Sequence, residues 1–279
     1  MEGSKPYTLI TGASHGIGKA FANLFAERGH NLFLIALPDK LLEETSDYIK
    51  DNYKVEVISF GIDLTTENAA RAIHDYAEQR DIKINILINN AGLGSGGLFE
   101  HSDMDLNRYI LRLNNQVMVE LIRLFVKDLI ELSPSYILNM SSMEATLPLP
   151  YKSVYTATKN FIYSFSLALS EELKPRRVHV AVVCPGAVLT NEDGLKRIQS
   201  MGWRAKLLLK MPEDVAKIAI KGLFNGKRVI IPGFIPLFII RVMHFFPVRL
   251  KMKILEKIFR NYKDHQPIRL ENTRMKEFS

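Results

Sequence analysis

One cysteine, Cys184, stands in 279 residues. A single thiol excludes an internal disulfide and any metal cluster built from cysteine alone, and it fits a reduced, intracellular setting. Tryptophan is equally scarce, represented by Trp203. Long apolar runs are missing as well. The first, Tyr7 to Ile10, leads straight into glycines, and a secretory leader needs roughly 7–15 apolar residues. The most apolar later stretch, Val229 to Phe246, is broken by Pro232, Gly233, Pro236, Arg241 and His244, whereas a spanning helix needs about 20 mostly apolar residues. A cytoplasmic location is the resulting expectation. The formal charge of +7 comes from 37 Lys+Arg and 30 Asp+Glu. Residues 241–279 hold 10 Lys/Arg and 4 Asp/Glu, against 27 and 26 in residues 1–240. The body is therefore close to neutral, which removes the case for a nucleic-acid-binding domain.

What is present alternates between short apolar runs and amphipathic segments. Candidate strands are Tyr7–Ile10, Asn31–Ala36, Lys54–Phe60, Ile84–Asn89, Tyr136–Met140, His179–Val183 and Lys227–Ile231. Continuous apolar runs suit strands buried on both faces of a parallel sheet. Helical patterns fall between them at 17–28, 39–52, 66–80, 103–131, 154–173 and 213–224. This alternation predicts a doubly wound α/β fold.

The first strand ends in Thr11-Gly12-Ala13-Ser14-His15-Gly16-Ile17-Gly18, with a helix pattern at once behind it. Glycines let the backbone approach a bound group, and N–H groups at a helix start hold phosphate. A nucleotide-hydrolysing loop would place Gly-Lys-Ser/Thr after four intervening residues. Here five separate Gly12 from Gly18-Lys19, and Ala20 follows.

Further motifs follow in order: Asp63-Leu64 after the third strand, Asn89-Asn90-Ala91-Gly92 after the fourth, Ser141-Ser142 after the fifth, Tyr155-Thr156-Ala157-Thr158-Lys159 beyond it, and Pro185-Gly186 with Val188 and Thr190 after the sixth. Over residues 6–232 this set resembles the classical short-chain dehydrogenases/reductases. The resemblance implies one Rossmann-type doubly wound domain with a mainly parallel sheet of about seven strands, here residues 1–232 carrying an extension at 233–279. It also implies a homo-oligomer, dimer or tetramer. Cofactor contacts carried over by motif are Gly12, Ser14, His15, Gly16, Ile17, Gly18, Leu37, Asp63, Leu64, Asn90, Ala91, Gly92, Tyr155, Lys159, Pro185, Gly186, Val188 and Thr190.

A helix sets Tyr155 and Lys159 one turn apart on one face. An ammonium beside a phenol lowers the phenol's pKa from about 10 and makes it a usable acid/base. Ser142 can donate to a carbonyl oxygen and polarise it. Within Leu113-Asn114-Asn115-Gln116, the resemblance selects Asn114 as the helix-shaping residue of a water-mediated proton relay, with Asn115 competing. The implied reaction is hydride transfer between a nicotinamide and a carbonyl carbon. The alternative from another class is a dinucleotide-binding regulatory or scaffold protein without turnover, against which intact Ser142, Tyr155 and Lys159 argue. No residue set calls for a metal.

Neither Ala36 nor Leu37, at the end of the second strand, is acidic, and Asp39 comes late. That points to NADP, with NAD as the alternative and Lys40 as a candidate for a 2′-phosphate. Leu93, Met143, Leu147, Tyr151 and Trp203 are substrate-side candidates and mostly apolar, which suggests an acyl, steroid-like or other lipid ketone. Asn191 to Met211 reads as either a lid or a packing helix. Residues 247–263 read as a helix with Val248, Met252, Leu255, Ile258, Phe259 and Tyr262 on one face and Arg249, Lys253, Lys257, Arg260 and Lys263 on the other. It is expected to dock on protein or to lie on a membrane surface.

Overall fold

The computed structural model describes residues 5–188, 210–233, 242–243 and 245–263. Seven strands form one sheet: β1 (Tyr7–Thr11), β2 (Asn31–Ala36), β3 (Val57–Gly61), β4 (Ile84–Asn89), β5 (Ser135–Met140), β6 (Val178–Val183) and β7 (Val229–Ile230). Their order is β3-β2-β1-β4-β5-β6-β7, and every pairing is parallel. The expected doubly wound sheet is therefore present. Its third and seventh strands begin later than their apolar patterns suggested, because Lys54–Glu56 and Lys227–Arg228 lie outside the strand bounds.

Helices cover both faces. On one side lie α1 (Gly16–Glu27), α2 (Lys40–Asn52) and α7 (Pro212–Phe224); on the other lie α3 (Ala69–Gln79), α4 (Met104–Leu111), α5 (Val117–Glu131) and α6 (Ser153–Leu173). Alternate strand residues feed the two cores. Leu9, Phe33, Ile35 and Val182 meet Ile73, Phe125 and Ile162. Ile10, Leu32, Leu34 and Val183 meet Phe21, Phe25 and Leu223. Side chains alternate across a strand, so a parallel sheet with two covered faces needs apolar residues in succession. Phe21, Phe25, Phe33 and Phe125 are fully enclosed, and burying each contributes about 1.5–3 kcal/mol.

The chain winds outward through β2 and β3, then returns across β1 to start β4. This reversal opens a crevice beyond the carboxyl ends of β1 and β4, where ligands of such sheets bind. The helix expected at 103–131 runs unbroken as α4, a π-helical turn at Arg112–Gln116, and α5. The basic segment forms α8 (Val248–Phe259) and a 3₁₀ turn at Arg260–Tyr262. No described helix is long and apolar enough to cross a membrane.

Candidate active site

The β1–β4 crevice is laced by one threonine. Thr11 Oγ1 accepts the backbone N–H groups of Asn90 and Ala91 at 3.0 and 3.1 Å. Asn90 Nδ2 donates back to the carbonyls of Thr11 and Gly12 at 3.0 and 3.2 Å. Gly12 has a φ of +66°, a conformation that favours glycine. A side chain on Gly18 would collide with the Gly12 carbonyl oxygen and come within 2.6 Å of Asn90 Nδ2. His15 leaves the start of α1 without a side-chain cap, and the first turn carries no acid. Open N–H groups at the end of a tightly folded glycine turn fit a pyrophosphate.

The remaining cofactor candidates gather around this turn in part. Ser14 is buried and shares a 3.1 Å hydrogen bond with His15 Nδ1. Ile17 and Val188 pack partly buried against the second core, Leu37 is partly exposed, and Leu64 is buried. Asp63 Oδ1 accepts the backbone N–H and hydroxyl of Thr65 at 2.8 and 2.6 Å. The Pro185 carbonyl accepts Met143 N–H at 2.9 Å, tying the Pro185-Gly186 segment to the Ser142 turn. Thr190 and Trp203 lie outside the described residues, as does most of Asn191 to Met211.

At the ends of β2 and α2 the chemistry differs from the sequence pattern. Asp39 Oδ1 accepts Leu42 N–H at 3.0 Å and caps α2. Lys40 pairs with Glu44 at 3.0 Å on the exposed side of the same helix, an i,i+4 surface contact that holds a lysine only weakly.

Ser142, Tyr155 and Lys159 converge. Ser142 caps the turn Met143–Thr146 by accepting Glu144 N–H at 3.1 Å, and its hydroxyl is placed to favour the ionised form of the Tyr155 phenol. Lys159 is buried, donates to the Met140 carbonyl at 3.1 Å, and has Nζ 5.7 Å from the Tyr155 ring centre. The backbone of Lys159 is fixed by Ser141, whose hydroxyl donates to its carbonyl at 2.7 Å.

The electrostatics correct one expectation. Burial first, then the charge of Glu144, raises the Tyr155 phenol well above its ordinary value, while the Ser142 hydroxyl opposes them. Burial lowers Lys159 itself to about 8. Taking either group out of water disfavours its charged form, which raises a phenol and lowers an ammonium.

Asn114 occupies the π-helical turn, a device found often at functional sites. Its Oδ1 accepts Leu93 N–H at 2.9 Å, and its Nδ2 donates to the Leu93 carbonyl and Thr158 Oγ1, each at 3.0 Å. A side chain at position 92 would meet Asn114 Oδ1 at 3.1 Å and Lys159 Nζ at 3.2 Å. Asn115 instead donates to the Thr158 carbonyl at 2.9 Å. The geometry thus places Asn114, rather than its neighbour, against the Gly92-Leu93 backbone and beside Lys159.

The substrate-side candidates are arranged unequally. Leu93 packs partly buried against the first core, and Met143 is partly buried. Leu147 is buried with Leu149, Met243 and Leu255 of α8. Tyr151, at φ +65°, donates its hydroxyl to Glu256 at 2.9 Å. Three participants carry no motif. Lys152 Nζ bonds both Glu144 oxygens at 2.8 and 2.9 Å and lies 5.2 and 5.0 Å from the ring centres of Tyr155 and Tyr262. The signal available for them was the proximity of Glu144 and Lys152 to the motif residues. Tyr262 had none, because its approach depends on how α8 docks.

A family model described as short chain dehydrogenase matches residues 6–200. The very-long-chain 3-oxoacyl-CoA reductase of Bos taurus is 32% identical over 199 residues, 68% of this chain and 62% of that protein. The Homo sapiens protein of the same name is 31% identical over 225 residues, 77% of this chain and 67% of that one. The chain thus spans about three-fifths to two-thirds of the length of these relatives. A short-chain dehydrogenase from Sphingobium yanoikuyae, solved in complex with NADPH, aligns at a TM-score of 0.74 with 28% identity, covering 87% of this chain and 97% of that one. A 7beta-hydroxysteroid dehydrogenase structure shares the fold at a TM-score of 0.82 with 20% identity, covering 90% and 96%.

Proposed function

Because this chain belongs to the short-chain dehydrogenase family of oxidoreductases, we propose that it interconverts an apolar ketone and its secondary alcohol with NADP(H), a 3-oxoacyl thioester being the favoured substrate class. The observation that carries the reading is the enclosure of Ser142, Tyr155 and Lys159 together, with Lys159 Nζ 5.7 Å from the Tyr155 ring centre one turn further along α6. The printed name of the bovine and human relatives supports the substrate class.

The residues that would hold the cofactor are the Gly12–Gly18 turn, Asn90–Gly92, Lys159 and the Pro185–Val188 segment, with Thr190 as a further contact. The dinucleotide, when bound, supplies or accepts the hydride. Every other task falls to the chain. Ser142 donates toward the substrate oxygen and draws charge onto it. Tyr155, kept protonated by its enclosed setting, gives its proton to that oxygen during reduction. Lys159 supplies positive charge as the phenolate forms, and Asn114 sits where a water-mediated relay toward Lys159 would begin.

NADP is favoured over NAD because Asp39, the acid nearest the end of β2, is already engaged in capping α2, and the Sphingobium relative was solved with NADPH. Residues 233–279 extend the same domain in this reading, consistent with α8 packing on Leu147 and Leu149. Assembly into a dimer or tetramer is part of the proposal.

The test is to assay purified protein with NADPH and NADH on 3-oxoacyl thioesters of graded chain length and on small soluble ketones, beside Tyr155→Phe. NADPH-dependent reduction that improves with chain length and collapses in the variant is expected. Wild type matching Tyr155→Phe on every substrate would overturn the enzyme reading.

A further inference from the structure

Glu144 and Lys152 form an ion pair that the roles assigned above leave unused. Lys152 Nζ donates to both Glu144 carboxylate oxygens, at 2.8 and 2.9 Å. The two side chains keep only 14% and 21% of their surface exposed. An enclosed pair gains little net stability once desolvation is counted, so its effect on its neighbours is what matters. Both partners stand on fixed backbone. Glu144 lies in the turn that Ser142 caps, its N–H on Ser142 Oγ at 3.1 Å. Lys152 is the cap residue of α6, and its carbonyl accepts the N–H and the hydroxyl of Thr156, each at 2.9 Å.

The neighbour is Tyr155. Lys152 Nζ lies 5.2 Å from its ring centre and 5.0 Å from that of Tyr262, so one ammonium links the Glu144 carboxylate to the acid/base ring. The lysine stem has little room to swing away. A side chain added at Gly96 would meet the Tyr262 ring at 3.0 Å and Lys152 Cγ at 3.5 Å. Tyr262 is brought there by α8, whose Leu255 is buried among Leu147, Leu149 and Met243 while Val248 and Ile258 face outward. The ionisable groups around the phenol are thus Glu144 from the Met143–Thr146 turn, Lys152 and Lys159 from α6, and Tyr262 from the tail. Glu256 is engaged by Tyr151 and Arg260. A carboxylate disfavours a phenolate and favours an ammonium. After burial, Glu144 is the group that most raises the Tyr155 phenol. Lys159, lowered by burial, is supported by Cys184 and by Glu144.

We propose that Glu144, fixed by Lys152, is a positioning residue that keeps the proton on Tyr155 and so sets the site to give a proton to a ketone oxygen rather than to take one from an alcohol. The direction of the reaction rests on the reductase reading above; the hold of Glu144 on Tyr155 does not. During reduction the phenol O–H bond breaks, its proton goes to the substrate oxygen as hydride from the reduced dinucleotide reaches the carbonyl carbon, and the phenolate recovers a proton from water. Glu144 favours that recovery. Lys152 offsets the carboxylate, so the two side chains act on the phenol with opposite sign.

The experiment compares wild type with Glu144→Gln, Lys152→Met and Lys152→Arg. NADPH-dependent reduction of 3-oxooctanoyl-CoA and NADP-dependent oxidation of 3-hydroxyoctanoyl-CoA are followed against pH. Glu144→Gln should move the midpoint of the alkaline rise in oxidation kcat/KM down by about one pH unit or more, and Lys152→Met should move it up. Lys152→Arg should stay close to wild type, because a guanidinium bonds a carboxylate in bidentate fashion. A purely structural pair would lower activity in the first two variants and leave their midpoints together. A second readout needs no turnover. Cofactor-free protein carrying ¹³C at the tyrosine Cζ is titrated by NMR, with the Tyr155 signal identified by its loss in Tyr155→Phe. Phenolate should begin to form at lower pH in Glu144→Gln than in wild type. Equal onsets, or midpoints that coincide or move the same way in Glu144→Gln and Lys152→Met, overturn the proposal. Should Lys152→Met fail to fold, Glu144→Gln alone decides. The expected NMR difference in a protein inactive on every carbonyl would keep the hold of Glu144 on Tyr155 and remove the reductase reading.

Discussion

Asn114 Nδ2 and Thr158 Oγ1 are joined by a 3.0 Å hydrogen bond. Thr158 passes the constraint on by donating to the Tyr155 carbonyl at 2.7 Å, so the π-helical turn, the Leu93 loop and the start of α6 are locked together. Thr158→Val removes both bonds and leaves a buried amide donor short of a partner, at a cost of about 1–3 kcal/mol. The expected result is a lower melting temperature and a fall in kcat larger than the change in KM, with Thr158→Ser restoring most of both. Steady-state kinetics and thermal melts check it. An unchanged kcat in Thr158→Val would detach this bond from the chemistry.

Tyr155→Phe keeps the ring and loses the proton donor. General acid–base catalysis contributes roughly 10²–10⁴-fold, so kcat should drop within that range while NADPH binding, read by fluorescence titration, stays close to wild type. Equal loss of binding would mean that the phenol supports the fold of the pocket instead.

Lys159 gives a pH signature in stability. Its pKa is lowered from 10.5 to about 8 by burial, so the folded state releases a proton that the unfolded chain keeps until higher pH. Between those values the unfolded state binds more protons, and stability therefore rises with pH. Below about pH 8 both states hold the proton and the full burial penalty is present. Compared with Lys159→Met, wild type should gain stability from pH 8 to 10.5, by up to roughly 3 kcal/mol. Urea melts at several pH values measure the difference, and parallel curves for the two proteins would refute it.

Gly18→Ala puts a methyl group against the Gly12 carbonyl and Asn90. Overpacking of this kind costs about 1–3 kcal/mol, which lowers the melting temperature by roughly 2–12 °C in a domain of this size. Dinucleotide affinity should fall further than stability alone explains, because the turn that meets the phosphates has moved.

Leu37→Asp tests cofactor choice. Asp39 is committed to α2, so an acid two positions earlier would supply the missing partner for ribose hydroxyls and repel a 2′-phosphate. The kcat/KM ratio for NADPH over NADH should fall by about tenfold or more. A ratio that does not move would place the discriminating group elsewhere.

The sheet was legible in the sequence because strands buried on both faces leave unbroken apolar runs, as in Asn31–Ala36. The grouping of Ser142, Tyr155 and Lys159 was legible from their order among the other motifs and the resemblance that order carries, since the helical spacing of Tyr155 and Lys159 alone is common. Other features depend on contacts that spacing does not encode. The π-helical turn at Arg112–Gln116 has no compositional mark, and it appears where Asn114 must meet Leu93. The raised Tyr155 phenol follows from burial and from Glu144, whereas a local view sees only the lysine one turn away. The division of α8 into docked and outward faces depends on Leu147 and Leu149, more than 100 residues earlier in the chain.

The bond between Tyr151 and Glu256 spans 105 positions, and it bears on the order in which the molecule is made. Synthesis runs from the amino terminus at about 5–20 residues per second. The turn that receives phosphates and the Ser142–Tyr155–Lys159 group are all translated before α8 exists. A nascent chain can therefore fold its β1–β4 crevice while Leu147, Leu149 and Tyr151 are still uncovered, and only the arrival of residues 248–262 covers them.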